Sequence, residues 1–271
     1  MNYLSRDGAP VSALLWQQID DTVVQSARRV LTARRFLHLF GPLGIETQSI
    51  HIDKVGAVEE QASDGMILTK GRRYVQIPTL YHDFTLLAKD LETSEKRGFA
   101  PDLSAAVVAA QYAAFAEDKL IFLGDKAAGY EGLLTATGAN KIKKSDWATG
   151  ENAFSDIAAG LETLVQKGVY GSYALALSPD LYTALQRLQP ATGLLETDRI
   201  AKLVDGRLYK TPVLGKGKAV LVGAEPGNMD LAVGQDMATA YLEQKDLNHC
   251  FRILETVLLR VKRGEAIVVF E

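Results

Sequence analysis

Cysteine and histidine are scarce in this sequence, which has one cysteine and four histidines among 271 residues. The single cysteine, Cys250, excludes an intrachain disulfide framework and is typical of a protein from a reducing compartment. The histidines stand apart from one another, and no His-x-x-x-His or Cys-x-x-Cys pair occurs. They are His38, His51, His82 and His249. The sequence therefore predicts no metal site.

Long apolar runs and a dominant charge are also missing. No run approaches the ~18 uninterrupted apolar residues of a membrane-spanning helix. The first residues lack the basic segment and the apolar core of a secretory signal, so we expect a cytoplasmic protein. The net charge is −3 and the isoelectric point is about 5.9. Neither value favours binding to nucleic acid or to an anionic membrane.

Recognisable catalytic motifs are absent as well. No Gly-x-Ser-x-Gly nucleophile motif occurs. Glu117 and Asp118 are adjacent and point about 100° apart on a helix, so we interpret them as structural carboxylates rather than a proton-sharing pair. His82 and Asp83 would point to opposite faces of a strand, and we interpret Cys250 as a buried small hydrophobe. We expect no enzymatic activity and no cofactor.

The first predicted element is a helix that follows Pro10. Ser12 is a plausible N-cap, and apolar residues at helical spacing continue until Gly41-Pro42. Its second half is basic because of four arginines, Arg28, Arg29, Arg34 and Arg35. These arginines favour either a solvated face that suits the helix dipole or a contact with an acidic partner.

A second, principal helix is predicted between Asp102 or Ser104 and Gly124. Its interior is rich in alanine and apolar almost all round, which predicts a buried helix.

Between the two helices, residues 46–80 have the pattern of a long hairpin. Two strand-like segments flank Asp64-Gly65, a dipeptide that accepts the positive φ angles of a type I′ turn. An isolated two-stranded hairpin is marginally stable. We therefore expect the hairpin to lie on another surface, with a neighbouring subunit as one candidate.

The remainder of the chain alternates helices and strands and ends in strands. The longest predicted strand places alternate apolar residues on one face, namely Phe251, Ile253, Val257, Leu259 and Val261. No repeat or linker divides the chain. The fold class is therefore α+β rather than regular βαβ.

Seven segments, in order along nearly the whole chain, carry a resemblance to a known family. They are LSRDGAPVSALLWQQID, RRFLHLFGPLG, FAEDKLIFLGD…GYEGLL, YALALSPDLYTAL, GRLYKTPVLGKGKAVLVG, DLAVGQDMATAYL and RILETVLLRVKRGEAIVVFE. In wording and order they resemble the family 1 encapsulins, shell proteins of bacterial and archaeal nanocompartments that have also been called linocin-like bacteriocins. The resemblance implies the Hong Kong 97-type phage major capsid fold, with a peripheral domain, an axial domain and an extended loop.

The resemblance also implies a division of the chain. Residues 1–45 would form a helix that faces the shell lumen and the entry to the peripheral domain, and residues 46–80 would form the extended loop. Residues 81–133 would contain the principal helix of the peripheral domain, and residues 134–223 would form the axial domain at fivefold vertices. Residues 224–271 would supply the peripheral strands.

The function implied by the resemblance is self-assembly into an icosahedral shell, with sixty copies and T=1 symmetry suggested by the chain length. The shell would enclose a cargo oxidoreductase or iron-handling protein, held through a C-terminal targeting peptide. Two alternatives remain open from the sequence. One is a phage or prophage major capsid protein of the same fold, and the other is a soluble hydrolase or bacteriocin, for which no nucleophile–base pattern is found.

Three sets of site residues follow from the resemblance. The cargo-peptide pocket would comprise Arg34, Leu37, His38, Leu231, Val233 and Tyr241. The fivefold pore would comprise Arg187, Gln189, Pro190, Ala191, Thr192 and Gly193, with any charge filter supplied by Arg187 or Glu196. The inter-subunit hairpin would turn at Asp64 and Gly65. The alternative for the first set is that its side chains only pack the helix against the shell.

Overall fold

A computed structural model describes residues 3–54, 56–189 and 193–271. The helices are α1 (Ala13–Val30), α2 (Ala88–Arg97), α3 (Ser104–Leu123), α4 (Asn152–Gln166), α5 (Pro179–Ala184) and α6 (Glu196–Leu203). The strands are β1 (Leu39–Phe40), β2 (Ser49–Ile52), β3 (Glu59–Ser63), β4 (Met66–Lys70), β5 (Arg73–Gln76), β6 (Thr79–Leu86), β7 (Gly124–Asp125), β8 (Tyr130–Glu131), β9 (Asn140–Ile142), β10 (Tyr173–Leu177), β11 (Leu208–Lys210), β12 (Ala219–Gly223), β13 (Met229–Val233), β14 (Ala238–Lys245), β15 (Asn248–Val261) and β16 (Ile267–Phe270).

The strands form two five-stranded sheets and three short pairs. In the first sheet the order is β1-β13-β15-β14, and β6 also pairs with β15. In the second sheet the order is β11-β10-β12-β16-β9. The first sheet carries α1 and α3 on one face.

The last strand of residues 224–271 is not in the same sheet as the three strands that precede it. β16 pairs with β12 and β9, so it belongs to the second sheet. Its four residues are fully apolar and buried on both faces, as in a strand that lies between neighbours at the centre of a sheet. The chain end therefore joins the two sheets.

The first helix begins as predicted and ends earlier. The Ser12 side chain accepts a hydrogen bond from the Leu15 N–H, and α1 stops at Val30 instead of running on to Gly41-Pro42. After Leu31, the backbone N–H groups of Thr32 and Ala33 donate to the carboxylate of Asp118 on α3 instead of to helical carbonyl groups. A 3₁₀ turn, Ala33–Arg35, follows. Arg34 and Arg35 therefore project from this turn and not from the helix.

The principal helix α3 packs its alanines against α1. Ala106, Ala109, Ala110 and Ala113 are buried in one cluster with Ile19 and Val23 of α1. The prediction that α3 is buried all round was wrong, because Val108, Tyr112 and Phe115 form an exposed apolar stripe. Gly124 ends the helix with a φ of +70°, as the sequence predicted.

The predicted hairpin is present in two sections. β2 pairs with β5 near the body, and β3 pairs with β4 farther out. Asp64 and Gly65 have φ angles of +50° and +79° and form the two-residue turn that the sequence predicted. Between the sections Gly71 has a φ of +80°, and a Cβ there would lie 1.8 Å from the Ala57 carbonyl oxygen, so only glycine fits.

Candidate functional site

A groove of about 420 Å³ lies between α1, the 3₁₀ turn and the connection from β13 to β14. Its apolar lining comprises Val24, Ala27, Leu31, Leu39 and Met237. Its charged lining comprises Arg28, Arg34, Arg35 and Asp236. Val24 and Leu39 are 38% and 41% exposed. The groove thus presents apolar side chains to solvent beside several guanidinium groups.

Arg34 is held beneath the groove by three carboxylates. Its Nε donates to both oxygens of Glu117, at 2.8 and 3.0 Å. One terminal nitrogen donates to Asp236 Oδ1 at 2.7 Å, and the other donates to Glu255 Oε2 at 2.9 Å. These four residues are called the Arg34 cluster below. Because every nitrogen of Arg34 donates to a carboxylate, the orientation of its side chain is fixed.

Burial differs sharply within the Arg34 cluster. The Glu117 and Glu255 side chains are 0% and 1% exposed, whereas that of Asp236 is 60% exposed. Burial raises the pKa of Glu255 well above its ordinary value, and the nearby charge and hydrogen bond of Glu117 raise it further. Burial alone would lower the pKa of Arg34, but the hydrogen bond and charge of Glu117 together with the charges of Glu255 and Asp236 outweigh it and raise that pKa.

Asp118 binds the chain where α1 ends. Its two oxygens accept hydrogen bonds from the backbone N–H groups of Thr32 and Ala33, at 2.8 and 3.0 Å. Burial raises its pKa to about 6, although the two backbone hydrogen bonds oppose the shift. The adjacent carboxylates of α3 therefore have different roles. Glu117 binds the Arg34 side chain, and Asp118 binds the backbone of Thr32 and Ala33, which precede Arg34 in the chain. This arrangement agrees with their interpretation as structural groups.

The structure brings together only part of the predicted cargo-peptide set. Arg34 lines the groove, but Leu37, Leu231 and Val233 are buried in the main core and offer it no surface. His38 is exposed, and its main-chain oxygen accepts a hydrogen bond from Leu231. Tyr241 lies apart from the groove. Its ring packs on Phe251, and its hydroxyl lies 3.3 Å from His249 Nδ1. Its backbone N–H donates to the carbonyl oxygen of Leu4.

Sequence reasoning missed Glu255, although a signal was present. Glu255 falls between Ile253 and Val257 in the alternating series that forms the buried face of β15. A carboxylate within such a series must be paired or protonated in the folded protein. Its neighbours in the structure, Arg34 and Glu117, lie more than one hundred residues away in the chain. The pattern therefore indicates that Glu255 is buried but does not indicate which residues it contacts.

The described part of the predicted pore loop carries a neutral ion pair. Arg187 Nε donates to Glu196 Oε2 at 2.7 Å, and Glu196 is fully buried. Arg187 and Gln189 both donate to the carbonyl of Gly150, and Gly193 has a φ of +66°. The remaining predicted pore residues, Pro190, Ala191 and Thr192, lie outside the described residues. Arg187 and Glu196 compensate each other and supply no net charge to the loop.

The outer section of the hairpin is called the arm, residues 59–70. Every residue of β3 and β4 is exposed. Met66, Ile67 and Leu68 are 58%, 68% and 52% exposed, which is unusual for three consecutive large apolar residues.

Other candidate residues have structural partners. His82 stacks on Tyr112, whereas Asp83 pairs with Arg252. The two side chains therefore lie on opposite faces of β6, as predicted. Cys250 is half-buried, with its Sγ 3.7 Å from the hydroxyl of an exposed threonine, so its interpretation as a buried hydrophobe was wrong.

Metal-binding clusters and membrane-spanning helices are both absent from the described residues. Residues 3–54, 56–189 and 193–271 contain no group of three histidine, cysteine or acidic side chains placed to hold a metal ion. In the same part of the chain, none of the helices combines the length and the apolar character needed to cross a membrane.

Comparison with known proteins gives one consistent result. Residues 1–258 match the family described as encapsulating protein for peroxidase. The type 1 encapsulin shell protein EncA of Myxococcus xanthus is 38% identical over 277 aligned residues, which cover all of this chain and 96% of the relative.

Solved structures show the same fold. The virus-like particle of Pyrococcus furiosus superposes with a TM-score of 0.77 at 22% identity, over 94% of this chain and 99% of the other. The capsid of the myovirus XM1 superposes with a TM-score of 0.61 at 15% identity, over 89% and 91% of the two chains. The fold is thus the Hong Kong 97-type capsid fold that the sequence predicted. From the family match and the close relative together, the chain belongs to the encapsulin shell proteins, which form capsid-like nanocompartments.

Proposed function

We propose that sixty copies of this chain close into a T=1 icosahedral shell, and that the groove holds a C-terminal peptide of a cargo oxidoreductase or iron-handling protein. In this proposal the subunit is structural and not catalytic. The family's description as an encapsulating protein for peroxidase supports an oxidoreductase as cargo. The observation that carries the peptide proposal is the groove itself, which presents apolar side chains to solvent.

The groove lining suits an extended peptide with apolar side chains. Val24 and Leu39 stand at the rim, and Leu31 and Met237 line the same space. Contacts of this size are individually weak, but an oligomeric cargo that presents several peptides to one shell gains affinity by avidity. A modest groove is therefore sufficient for retention.

The charge at the groove suits the end of a chain. Arg34 is satisfied by its carboxylates, whereas Arg28 makes no ion pair among the described residues. Within the described part of the chain, Arg35 donates only to the carbonyls of Arg28 and Arg29, at 3.3 and 3.4 Å. A guanidinium binds a carboxylate with paired hydrogen bonds. Every peptide C-terminus provides such a carboxylate, so we infer that Arg28 and Arg35 favour a C-terminal peptide.

The arm supports assembly between copies. A two-stranded hairpin needs a third element for stability. The apolar residues of the arm, Met66, Ile67 and Leu68, have no cover within the described subunit. We infer that they lie against a neighbouring subunit, with the turn at Asp64 and Gly65 at the far end.

The peptide proposal is tested by co-purification of cargo with shells. A fluorescent protein would carry the C-terminal peptide of the protein encoded beside this chain's gene. In Val24→Asp and Leu39→Asp shells we expect at least about tenfold less fluorescence per particle, because a carboxylate against apolar side chains costs more than about 1.4 kcal/mol.

The matched control is Leu14→Asp, which places the same charge on an exposed apolar position of α1 outside the groove. This variant should load like the wild type. If both groove variants retain full loading in intact shells, the groove is not the peptide site.

A further inference from the structure

The Arg34 cluster contains more acid than base. Glu117, Glu255 and Asp236 all bind one guanidinium, and the charged or titratable groups facing Glu255 are Arg34 on the 3₁₀ turn, Glu117 on α3 and Asp236 on the β13–β14 connection. Asp236 is exposed, so water can solvate its charge. Glu117 and Glu255 are buried and have a single cation between them. If both were ionised, one negative charge would be buried without compensation.

Hydrogen bonding at Glu255 shows the same imbalance. Its Oε2 accepts from Arg34, but its buried Oε1 receives no hydrogen bond in the described residues. Glu117 and Glu255 accept from two different nitrogens of the same guanidinium, Nε and a terminal nitrogen of Arg34, so both carboxyl groups are held against one cation. A proton on Glu255 removes the excess buried charge.

We propose that Glu255 holds a proton beside Glu117 beneath the groove, and that binding of the cargo peptide is linked to this proton. The second half of the statement rests on the proposed function of the groove. The first half concerns the subunit alone and is independent of any cargo.

The link follows from Arg34 and Asp236, which belong to both the cluster and the groove lining. A peptide in the groove excludes water from these two side chains and reduces the screening of charge beneath them. Ionisation of Glu255 is then less favourable in the loaded shell than in the empty one. By linkage, the peptide dissociation constant rises with pH, by up to about tenfold per pH unit for one proton.

The neighbouring titratable group, Asp118, binds different partners. It is next to Glu117 in sequence and the Glu117 charge helps to raise its pKa, but its oxygens accept from the backbone of Thr32 and Ala33 and not from Arg34. Its pKa of about 6 means that it loses its proton in the acid range. Burial and Glu117 hold the pKa of Glu255 well above its ordinary value, in spite of Arg34. Substitution of Glu255 therefore distinguishes its proton from that of Asp118.

The presence of the proton on Glu255 is tested by infrared spectroscopy of purified empty shells. The measurement is made at about pH 7, above the pKa of about 6 of Asp118. We expect a band from a protonated, buried carboxyl group in the wild type. It should vanish in Glu255→Gln and in Glu117→Gln, since each variant leaves one carboxylate to pair with Arg34. Glu162→Gln, on the exposed side of α4, should keep the band. A wild-type spectrum without this band would overturn the proposal.

The linkage is tested on the same shells with the fluorescent protein that carries the cargo peptide. As pH is raised over the range in which the shells stay closed, we expect the wild-type dissociation constant to rise, by up to about tenfold per pH unit. Glu255→Gln, which mimics the protonated side chain, should bind at the low-pH affinity throughout. Equal pH slopes in the wild type and Glu255→Gln would overturn the linkage while leaving the proton in place. Shells that bind no peptide at any pH would refute the groove and the linkage, and the infrared band would still decide the proton.

Discussion

At the scale of single residues, the buried carboxylates of α3 decide the path of the chain after the first helix. Asp118 accepts the backbone N–H groups of Thr32 and Ala33. These groups would otherwise continue the helix by binding carbonyls one turn back. The side chain thus replaces helical hydrogen bonds with bonds to another element. As a consequence, Arg34 is turned toward Glu117 and Glu255.

Asp118→Asn should destabilise the protein most at acid pH. An amide retains one acceptor oxygen, so one buried N–H loses its partner at a cost of about 1–3 kcal/mol. The pKa of Asp118 is raised from 3.8 to about 6, so the folded state binds the proton more tightly. The stability gained from this proton is complete below the ordinary pKa and is lost as pH rises through about 6. Thermal unfolding should therefore show a gap between wild type and variant that narrows from about pH 4 to pH 7.

Asp102→Asn is the matched control because Asp102 also accepts a backbone N–H, at the start of α3, but is exposed. Hydrogen bonds from the hydroxyl and the backbone of Ser104 lower the pKa of Asp102. Its contribution to stability is therefore lost as pH falls, which is the opposite of Asp118. The difference in thermal stability between wild type and Asp102→Asn should widen as pH rises. A gap for Asp118→Asn that widens as well would contradict the role of burial at Asp118.

At the scale of elements, the hairpin illustrates what a short local signal can establish. The dipeptide Asp64-Gly65 predicted the turn, and the observed positive φ angles confirm it. It did not predict the division into two ladders, which depends on Gly71 and its close approach to Ala57. The exposure of the whole arm is a tertiary property, because alternation of residues does not reveal whether either face is covered within the subunit.

Removal of the arm should abolish assembly and leave a folded subunit. Ile52 and Arg73 are cross-strand partners, so residues 53–72 can be replaced by an Asn-Gly turn that closes β2 onto β5. The base of the hairpin and its core residues Ile50 and Ile77 remain. We expect a native-like circular dichroism spectrum, a cooperative unfolding transition and no particles in negative-stain images.

Asp64→Asn keeps the full arm and its type I′ turn, so this control should assemble normally. Closed particles from the shortened variant would show that the arm is not required between subunits.

At the scale of the whole molecule, the two sheets are joined by the end of the chain. β15 lies in the first sheet and β16 in the second, with only residues 262–266 between them. The arm, which contacts another copy in our proposal, is connected to this body through β2 and through β5, which leads into β6.

A shell of sixty subunits has a definite mass. With 29.5 kDa per chain, closed T=1 particles should have a mass of about 1.8 MDa by multi-angle light scattering. Empty shells should give this value at all assembling concentrations, because closed point-group symmetry fixes the number of copies. A larger discrete mass would assign a higher triangulation number, and a monomer or small oligomer would refute the shell proposal for this chain.

Much of the secondary structure was determined locally. The N-cap at Ser12, the helix end at Gly124 and the strands of the last third followed from capping, glycine and alternation. These signals act over a few residues, so they can be recognised from residues that are neighbours in the sequence. The order of seven characteristic segments likewise identified the family and its fold.

The tertiary structure alone decided the rest. The early end of α1, the pairing of β16 with the second sheet and the burial of Glu255 beside Arg34 depend on partners far away in the chain. Such partners are chosen by packing and by the need to compensate buried charge, and neither has a local pattern. The sequence by itself thus determined which elements form and which family they belong to. Only the folded chain decided which carboxylates meet one arginine, and so where the groove and its proton lie.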